Sequence, residues 1–332
     1  MSVLIITKSD DNESIALVTE AIRERGGRAY RFDTDRFPTE LKLVAAQDKT
    51  SERVTVSGPE GDLDLSGVTA IWHRRLNVGG RLPDSMDQQL RQACVGESRA
   101  AFYGLLASLK AFRLDRAPYI RHAENKQLQL RVAAELGLET PRTLITNDPG
   151  SVRDFMRACQ GRVITKMLSS FAIYEDGQEK VVFTNPVSPA DLENLEGLSF
   201  CPMTFQEMVP KALELRVTMV GDRVFAASID SQSSDRAAHD WRRDGLGMID
   251  DWKEYELPED VTGRLLRLMD YFGLNYGAAD IIVTPEGRHV FLEVNPAGEF
   301  FWLERAPGLA ISKAIADVLL GRSLRRERAL WE

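Results

Sequence analysis

Cysteine is scarce in this 332-residue sequence: Cys94, Cys159 and Cys201 lie far apart, odd in number and without a CxxC pair. That argues against a disulfide framework or a thiolate metal cluster and fits reduced thiols in a cytoplasmic protein. Histidine is nearly as rare, and His73, His122, His239 and His289 are too scattered to suggest an imidazole-ligated metal. No run is apolar enough to cross a bilayer. The opening MSVLIITKSD has too short an apolar stretch for a signal sequence and no small-residue cleavage site, so it reads as a first buried strand. Excess positive charge is also missing; a net charge of -8 argues against a nucleic-acid surface. Glycine is absent from TKSDDNES after that strand, which rules out the dinucleotide-binding fingerprint. Repeats and low-complexity segments are absent too.

What is present is an ordinary globular composition, 43% apolar and 28% charged, in a chain long enough for two or three units with real cores. Val3 to Ile6 reads as a strand and Ala29 to Phe32 as another. Between them Asn12 to Arg25 has Ile15, Val18 and Ile22 at helical spacing, closed by Gly26 and Gly27. Thr7, Ser9 and Asp11 read as helix-capping groups rather than phosphate ligands. Thr55, Val68 and the VTAIWHRR segment predict further strands. Met86 to Phe112 predicts a long helix with Leu90, Cys94, Ala101, Leu105 and Leu109 as its apolar positions. Arg74 and Arg75 suit bidentate binding of a carboxylate or phosphate; they equally suit surface pairing with Asp84 or Asp87. Residues 1–115 form the first expected unit, an α/β domain, with 116–205 and 206–332 as the central and C-terminal units.

Beyond Pro118 the pattern predicts a helix from Lys126 to Leu136 stopped by Gly137, the strand PRTLIT, a helix to Cys159, and a strand from Arg162 to Leu168. Lys166 stands inside that strand among Val163, Ile164, Met167 and Leu168. It must either snorkel or meet an anion, because an unpaired buried ammonium is costly. Phe171 to Thr184 reads as a hairpin around Glu175-Asp176-Gly177, Pro189 to Leu195 as a short helix, and Thr204 to Val209 as a strand ending at Pro210. LELRVTMVGDRVFAASID is a hairpin turning at Gly221-Asp222, with Glu214 and Arg216 on one face and Leu215 and Val217 on the other. Ser231 to Asp251 is a polar loop, over a site or simply on the surface. Val261 to Phe272 and Ala310 to Leu320 are helices, and RSLRRER reads as a solvated basic end.

The stretch most informative about chemistry runs from Tyr276 to Glu299. Ala279–Val283 and His289–Val294 are short apolar runs separated by the turn residues Pro285, Glu286 and Gly287. A turn centred on Glu286 and Gly287 sets Asp280 opposite Glu293 and Ala278 opposite Asn295. A three-residue loop would instead shift the register and separate the two acids. Facing carboxylates repel unless a cation lies between them, and hard oxygen ligands without His or Cys favour Mg²⁺. The alternative is a solvated hairpin with its acids in water.

Lys126, Lys166, the QEMV strand end, Arg216, Asp280 and the Glu293-Val294-Asn295 triplet stand in the order and approximate spacing of an ATP-grasp ligase. VLIIT, DNES, FDTDRFPTE, WHRR, HAENKQLQL, TKMLSSFAIY, LEGLSFCPMTFQE, PKALELR and FLEVNPAGEFFWLE narrow the match, which spans essentially the whole chain. The sequence resembles the microviridin-type peptide ligases, the graspetide synthetases, which macrocyclise ribosomally made precursor peptides. The resemblance implies an ATP-grasp fold of the α/β plus α+β class, with an N-terminal Rossmann-like (pre-ATP-grasp) domain. By position, Lys126 and Lys166 would contact ATP phosphates, Gln206, Glu207, Met208 and Val209 would hold adenine, and Glu214 would hold ribose. Asp280, Glu293 and Asn295 would ligate Mg²⁺, while Arg216 and Arg242 would face the γ-phosphate or acyl phosphate.

It further implies an ADP-forming enzyme acting on a precursor peptide with a leader and a Thr/Glu-rich core, and a homodimer. Neither nucleic acid nor membrane is an expected partner. The leader would bind the 214–230 hairpin and the Pro189–Leu195 region. The ring bond is expected to be an ester, with a lysine amide as the alternative. Two rivals stand beside this reading: a RimK-like or glutathione-synthase-like carboxylate-amine ligase, and an inactive ATP- or peptide-binding module.

Overall fold

The chain begins as a parallel α/β layer. β1 (Ser2–Thr7), α1 (Ser14–Glu24) and β2 (Arg28–Asp33) form the expected strand-helix-strand unit; β3 (Lys42–Gln47), β4 (Glu52–Gly58) and β5 (Gly61–Asp64) form a separate antiparallel sheet. β6 (Ala70–His73), α2 (Gln88–Ser108) and β7 (Phe112–Leu114) complete a four-stranded parallel sheet of order β2-β1-β6-β7. The computed structural model describes all residues except 51, 59–60, 169–171, 176–177, 182–183, 234–246 and 332. β1 is buried on both faces, hence its unbroken apolar run. Val3 and Ile5 pack toward α1, whereas Leu4 and Ile6 join Phe102 and Leu105 of α2.

Thr7, Ser9 and Asp11 do not cap α1: Ser9 gives its amide (2.7 Å) and hydroxyl (2.5 Å) to Asp35, Thr7 donates to Asp11, and Asn12 Oδ1 accepts from Ser14 N at 3.0 Å instead. The long helix stops at Ser108, because the Thr69 carbonyl takes the Phe112 amide (3.1 Å) into the sheet. Its core face is Ser98, Phe102 and Leu105, while Leu90 is 62% exposed.

Next come α3 (Ala117–Ala123), α4 (Lys126–Glu135), β8 (Thr143–Thr146), α5 (Pro149–Ala158) and β9 (Val163–Lys166). β10 (Ala172–Glu175) pairs with β11 (Gln178–Val181) as the expected hairpin; its central residues 176–177 lie outside the described residues. β12 (Asn185–Pro186), α6 (Pro189–Glu193) and β13 (Met203–Glu207) follow, and a second sheet runs β12-β9-β13-β8 over Val152, Met156 and Phe205.

The third sheet has five strands, ordered β16-β15-β14-β17-β18. These are β14 (Leu213–Val220), β15 (Arg223–Ile229), β16 (Lys253–Glu254), β17 (Tyr276–Val283) and β18 (His289–Asn295). α7 (Glu259–Phe272) covers one face, burying Leu265, Leu268 and Phe272 against Leu215, Val217 and Phe291. The other face carries Arg216 and Asp280. α8 (Phe301–Arg305) and α9 (Ile311–Leu319) close the chain, and α9 returns to the first sheet, where Ile311 and Ile315 share a core with Val3, Ile5 and Val18. The basic end is not solvated as expected. Arg325 lies over the Phe112 ring at 4.0 Å, and Arg326 binds Asp270 (2.5 Å) and the Gly221 carbonyl (2.6 Å).

Candidate functional site

The Asp280–Glu293 pairing occurs, by a route the sequence did not show. The loop is the odd one: Thr284 N donates to Arg288 O (2.9 Å), leaving Pro285, Glu286 and Gly287 as three connecting residues, with Gly287 at φ 82°. A three-residue loop ending in a left-handed residue favours glycine there. Val283, Ile282 and Ile281 accordingly pair with His289, Val290 and Phe291. A bulge between Asp280 and Ile281 then restores Asp280↔Glu293 and Ala278↔Asn295. Without it Asp280 would face Leu292. Two irregularities of opposite effect thus put both acids on one face.

β14 extends the row. Arg216 lies directly across from Asp280, so Arg216, Asp280 and Glu293 form one rung over three strands. Arg216 Nη1 donates to Asp280 Oδ1 at 2.8 Å and Nη2 to the Glu299 carbonyl at 3.0 Å, with the guanidinium 5.7 Å from the centre of the Trp302 ring. Burial works against the arginine's charge, but Asp280 outweighs it and raises its pKa. Asn295 Nδ2 touches both acids, 3.3 Å from Asp280 and 3.1 Å from Glu293.

α4 supplies the remaining charge. Lys126 at its start sets Nζ 3.2 Å from Glu293 Oε2 and 3.0 Å from Asn295 Oδ1. The helix is held there by Gln129, which accepts from Val294 N (2.9 Å) and donates to Val294 O (2.8 Å), covering the open edge of β18. Lys126 and Arg216 therefore balance the facing carboxylates within the protein itself.

These residues open on a cleft of about 680 Å³ between the second and third sheets. Lys126, Lys166, Gln206, Glu207, Met208, Val209, Glu214, Arg216, Asp280, Glu293 and Asn295 all line it, and Arg242 lies outside the described residues. Within the segment 231–251, Gln232 reaches the cleft wall. Gln206 turns its side chain to Thr143 Oγ1 (2.9 Å), and the Glu207 and Met208 amides donate to the Arg142 and Arg162 carbonyls. Sequence reasoning missed Lys211, which binds Glu214 at 2.6 Å, and Glu299 and Trp302, which also line the wall. Their only signal was membership of PKALELR and FLEVNPAGEFFWLE.

With the Asn295 amide turned over so that Oδ1 rather than Nδ2 meets the acids, the donor set suits Mg²⁺: two carboxylates and an amide oxygen, all hard, beside cations that suit phosphate. Among the described residues no cluster of three or more His, Cys, Asp or Glu exists, so a cation here would depend on oxygens from its co-ligand. No helix among the described residues is long and apolar enough to cross a membrane.

Residues 2–121 match the MvdD pre-ATP grasp domain family. No curated protein sequence matches the chain. Among solved structures, the macrocyclase MdnC of Microcystis aeruginosa MRC, bound with precursor peptide MdnA, is 49% identical over 97% of this chain and 100% of its own, with a TM-score of 0.87. A Chryseobacterium gregarium RiPP-associated ATP-grasp ligase, in complex with ADP and a leader and core peptide, is 40% identical over 99% of each chain, with a TM-score of 0.94. The Microcystis aeruginosa MRC macrocyclase MdnB is 38% identical over 96% of this chain and 99% of its own, with a TM-score of 0.80. With an ATP-grasp fold behind an N-terminal pre-ATP-grasp domain, the chain belongs to the microviridin-type family of ATP-grasp ligases, the macrocyclases of ribosomally made peptides.

Proposed function

We propose that this enzyme uses ATP to macrocyclise a precursor peptide made of a leader and a Thr/Glu-rich core. It closes esters between core Thr or Ser hydroxyls and Asp or Glu carboxyls through an acyl phosphate. The observation that carries this reading is the one cleft in which Lys126, Lys166 and Arg216 meet Asp280, Glu293 and Asn295. The precursor bound by MdnC and the ADP, leader and core bound by the Chryseobacterium ligase support the same ligands here.

Lys126 and Lys166 would hold the nucleotide phosphates. Adenine would lie along residues 206–209, read by Val209 and strand carbonyls, since the amides of Glu207 and Met208 are engaged. Glu214 would take the ribose, exchanging its bond to Lys211. Asp280, Glu293 and Asn295 would hold Mg²⁺, which supplies neutralising charge for the transferring phosphoryl group. Arg216, fixed by Asp280 and the Glu299 carbonyl, stabilises negative charge at the reacting carboxylate, and Arg242 is the proposed second arginine. No protein nucleophile is required, because the hydroxyl that closes the ring belongs to the peptide.

Units 1–115, 116–205 and 206–332, leader binding at residues 189–195 and on the 214–230 hairpin, a homodimer and a cytoplasmic setting complete the proposal. The free Cys94, Cys159 and Cys201 are consistent with that setting. The test is to supply ATP, Mg²⁺ and a precursor peptide with a leader and a Thr/Glu-rich core, and to weigh the product. Loss of one water per ring with release of ADP and phosphate is expected; a heavier product would mean an intermolecular ligase, and AMP with pyrophosphate would overturn the acyl-phosphate route. Hydroxylamine or mild base opens esters and spares amides, which decides between the ester and the lactam alternative.

A further inference from the structure

Three successive carbonyls just beyond Asn295 are each held by a different side chain. Arg74 Nη1 donates to Ala297 O at 3.1 Å, Tyr276 Oη to Gly298 O at 2.6 Å, and Arg216 Nη2 to Glu299 O at 3.0 Å. The Glu299 carboxylate is gripped as well: Arg74 Nη2 lies 2.8 Å from Oε2, Asn12 Nδ2 lies 2.7 Å from the same oxygen, and Arg75 donates to Oε1. Arg74 and Arg75 directly follow β6, and Asn12 stands in the connection between β1 and α1, all beyond the carboxyl ends of the first sheet's strands. The sheet's strand order changes direction between β1 and β6, which is where open α/β sheets place their ligands. Here that crevice receives a carboxylate from the third sheet's own loop.

Two facts show that Arg74 is more than a tether. Its side chain is only 2% exposed in contact with the loop, and the Trp72 ring, 5.4 Å away at its centre, supports the guanidinium from within its own domain. The space beside Gly298 is closed: a Cβ there would stand 2.6 Å from Arg216 Nη2. Backbone 297–299 and the Arg216 guanidinium are thus packed as one piece, and a shift of the loop would turn Arg216 about its remaining bond to Asp280. We propose that Arg74 is a positioning residue for ring closure, acting through residues 297–299 to fix the orientation of Arg216. The inference rests on the macrocyclase reading above and adds a residue of the pre-ATP-grasp domain to the reacting end of the cleft. Displacements near 1 Å are enough to cost about 10²-fold in rate.

The experiment measures ring closure of the same precursor by wild type, Arg74→Ala, Arg74→Lys and Glu299→Gln, with ATP affinity by calorimetry and melting temperature for each. Arg74→Ala should lower kcat by roughly 10- to 100-fold and change ATP affinity less than about twofold. Arg74→Lys should not restore the rate, since one ammonium cannot span both Ala297 O and Glu299 Oε2. Glu299→Gln, which preserves shape, should fall in kcat in the same manner, and keeps the test open should Arg74→Ala fail to fold. The double variant Arg74→Ala with Glu299→Gln should be little worse than Arg74→Ala alone, because both act on one loop. Wild-type kcat in the Arg74 variants, rescue by Lys, or an equal loss of ATP affinity would overturn the inference. A wild-type enzyme that forms no ring at all would overturn the macrocyclase reading instead.

Discussion

Lys126 places its ammonium nitrogen 3.2 Å from Glu293 Oε2, at the rung where the ladder sets Glu293 opposite Asp280. The start of α4 thereby relieves a carboxylate repulsion that the two strands alone would suffer.

Replacing Glu293 by Gln keeps the side chain's shape and removes one charge from the proposed Mg²⁺ ligands. Ring closure should fall by roughly 10²-fold or more, with the melting temperature little changed. ATP consumption in the presence of peptide, followed across Mg²⁺ concentrations, checks this; an unaltered rate would remove Glu293 from the metal site.

Lys166 lines the cleft from β9, where the proposed anion is the nucleotide. In calorimetry Lys166→Ala should weaken ATP binding about 10- to 100-fold, or roughly 1.4–3 kcal/mol. The nucleotide-free melting temperature should change little, since Lys166 is only partly buried on β9. Unchanged affinity would return Lys166 to a structural role.

How far the site could be read from residues alone depends on what encoded each part. Alternating apolar residues and the Gly221-Asp222 turn disclosed the β14–β15 hairpin, and the faces of Glu214 and Arg216 with it. The bulge that restores Asp280 to Glu293 was hidden, because an extra residue in a strand requires no particular side chain. Glu299 went unread for another reason: its arginines lie far back in the sequence, and a carboxylate after a strand looks the same whether it faces water or Arg74. RSLRRER misled by composition, since arginine forks that bind carbonyls have the same letters as arginines in solvent.

Asp115 is buried and accepts from the Asn275 amide (3.0 Å), Asn275 Nδ2 (2.8 Å) and the Tyr276 amide (2.9 Å), which anchors the start of β17. Burial outweighs these donors and pushes its pKa up to about 6. The folded chain therefore holds this proton to a higher pH than the unfolded chain does. The group's stabilising contribution is full at low pH and is lost as pH rises through about 6, a change of about 1–3 kcal/mol. Urea unfolding of wild type and Asp115→Asn between roughly pH 4 and pH 7 isolates the effect. Asp115→Asn should be the less stable protein throughout, because its amide turns a donor toward donors, and a pH-independent difference between the two would refute the linkage.

Arg326, with a side chain 7% exposed, joins Asp270 to the Gly221 carbonyl. Arg326→Ala should cost about 2–3 kcal/mol and lower the melting temperature by roughly 3–8 °C. Arg328→Ala, at an exposed position of the same tail, should stay within about 0.5 kcal/mol of wild type. Equal melting temperatures for the two variants would show that the tail is not fastened through Arg326.

The return of α9 to β1 and α1 has a consequence for synthesis on the ribosome. Val3, Ile5 and Val18 are translated some three hundred residues before Ile311 and Ile315, which complete their core. The nascent first sheet must wait with the core it shares with α1 incompletely covered until α9 is made, a delay that long-range closure imposes and that invites chaperone capture. A ribosome stalled before Ile311 would therefore carry a chain open to protease at α1, and translation beyond α9 would close it.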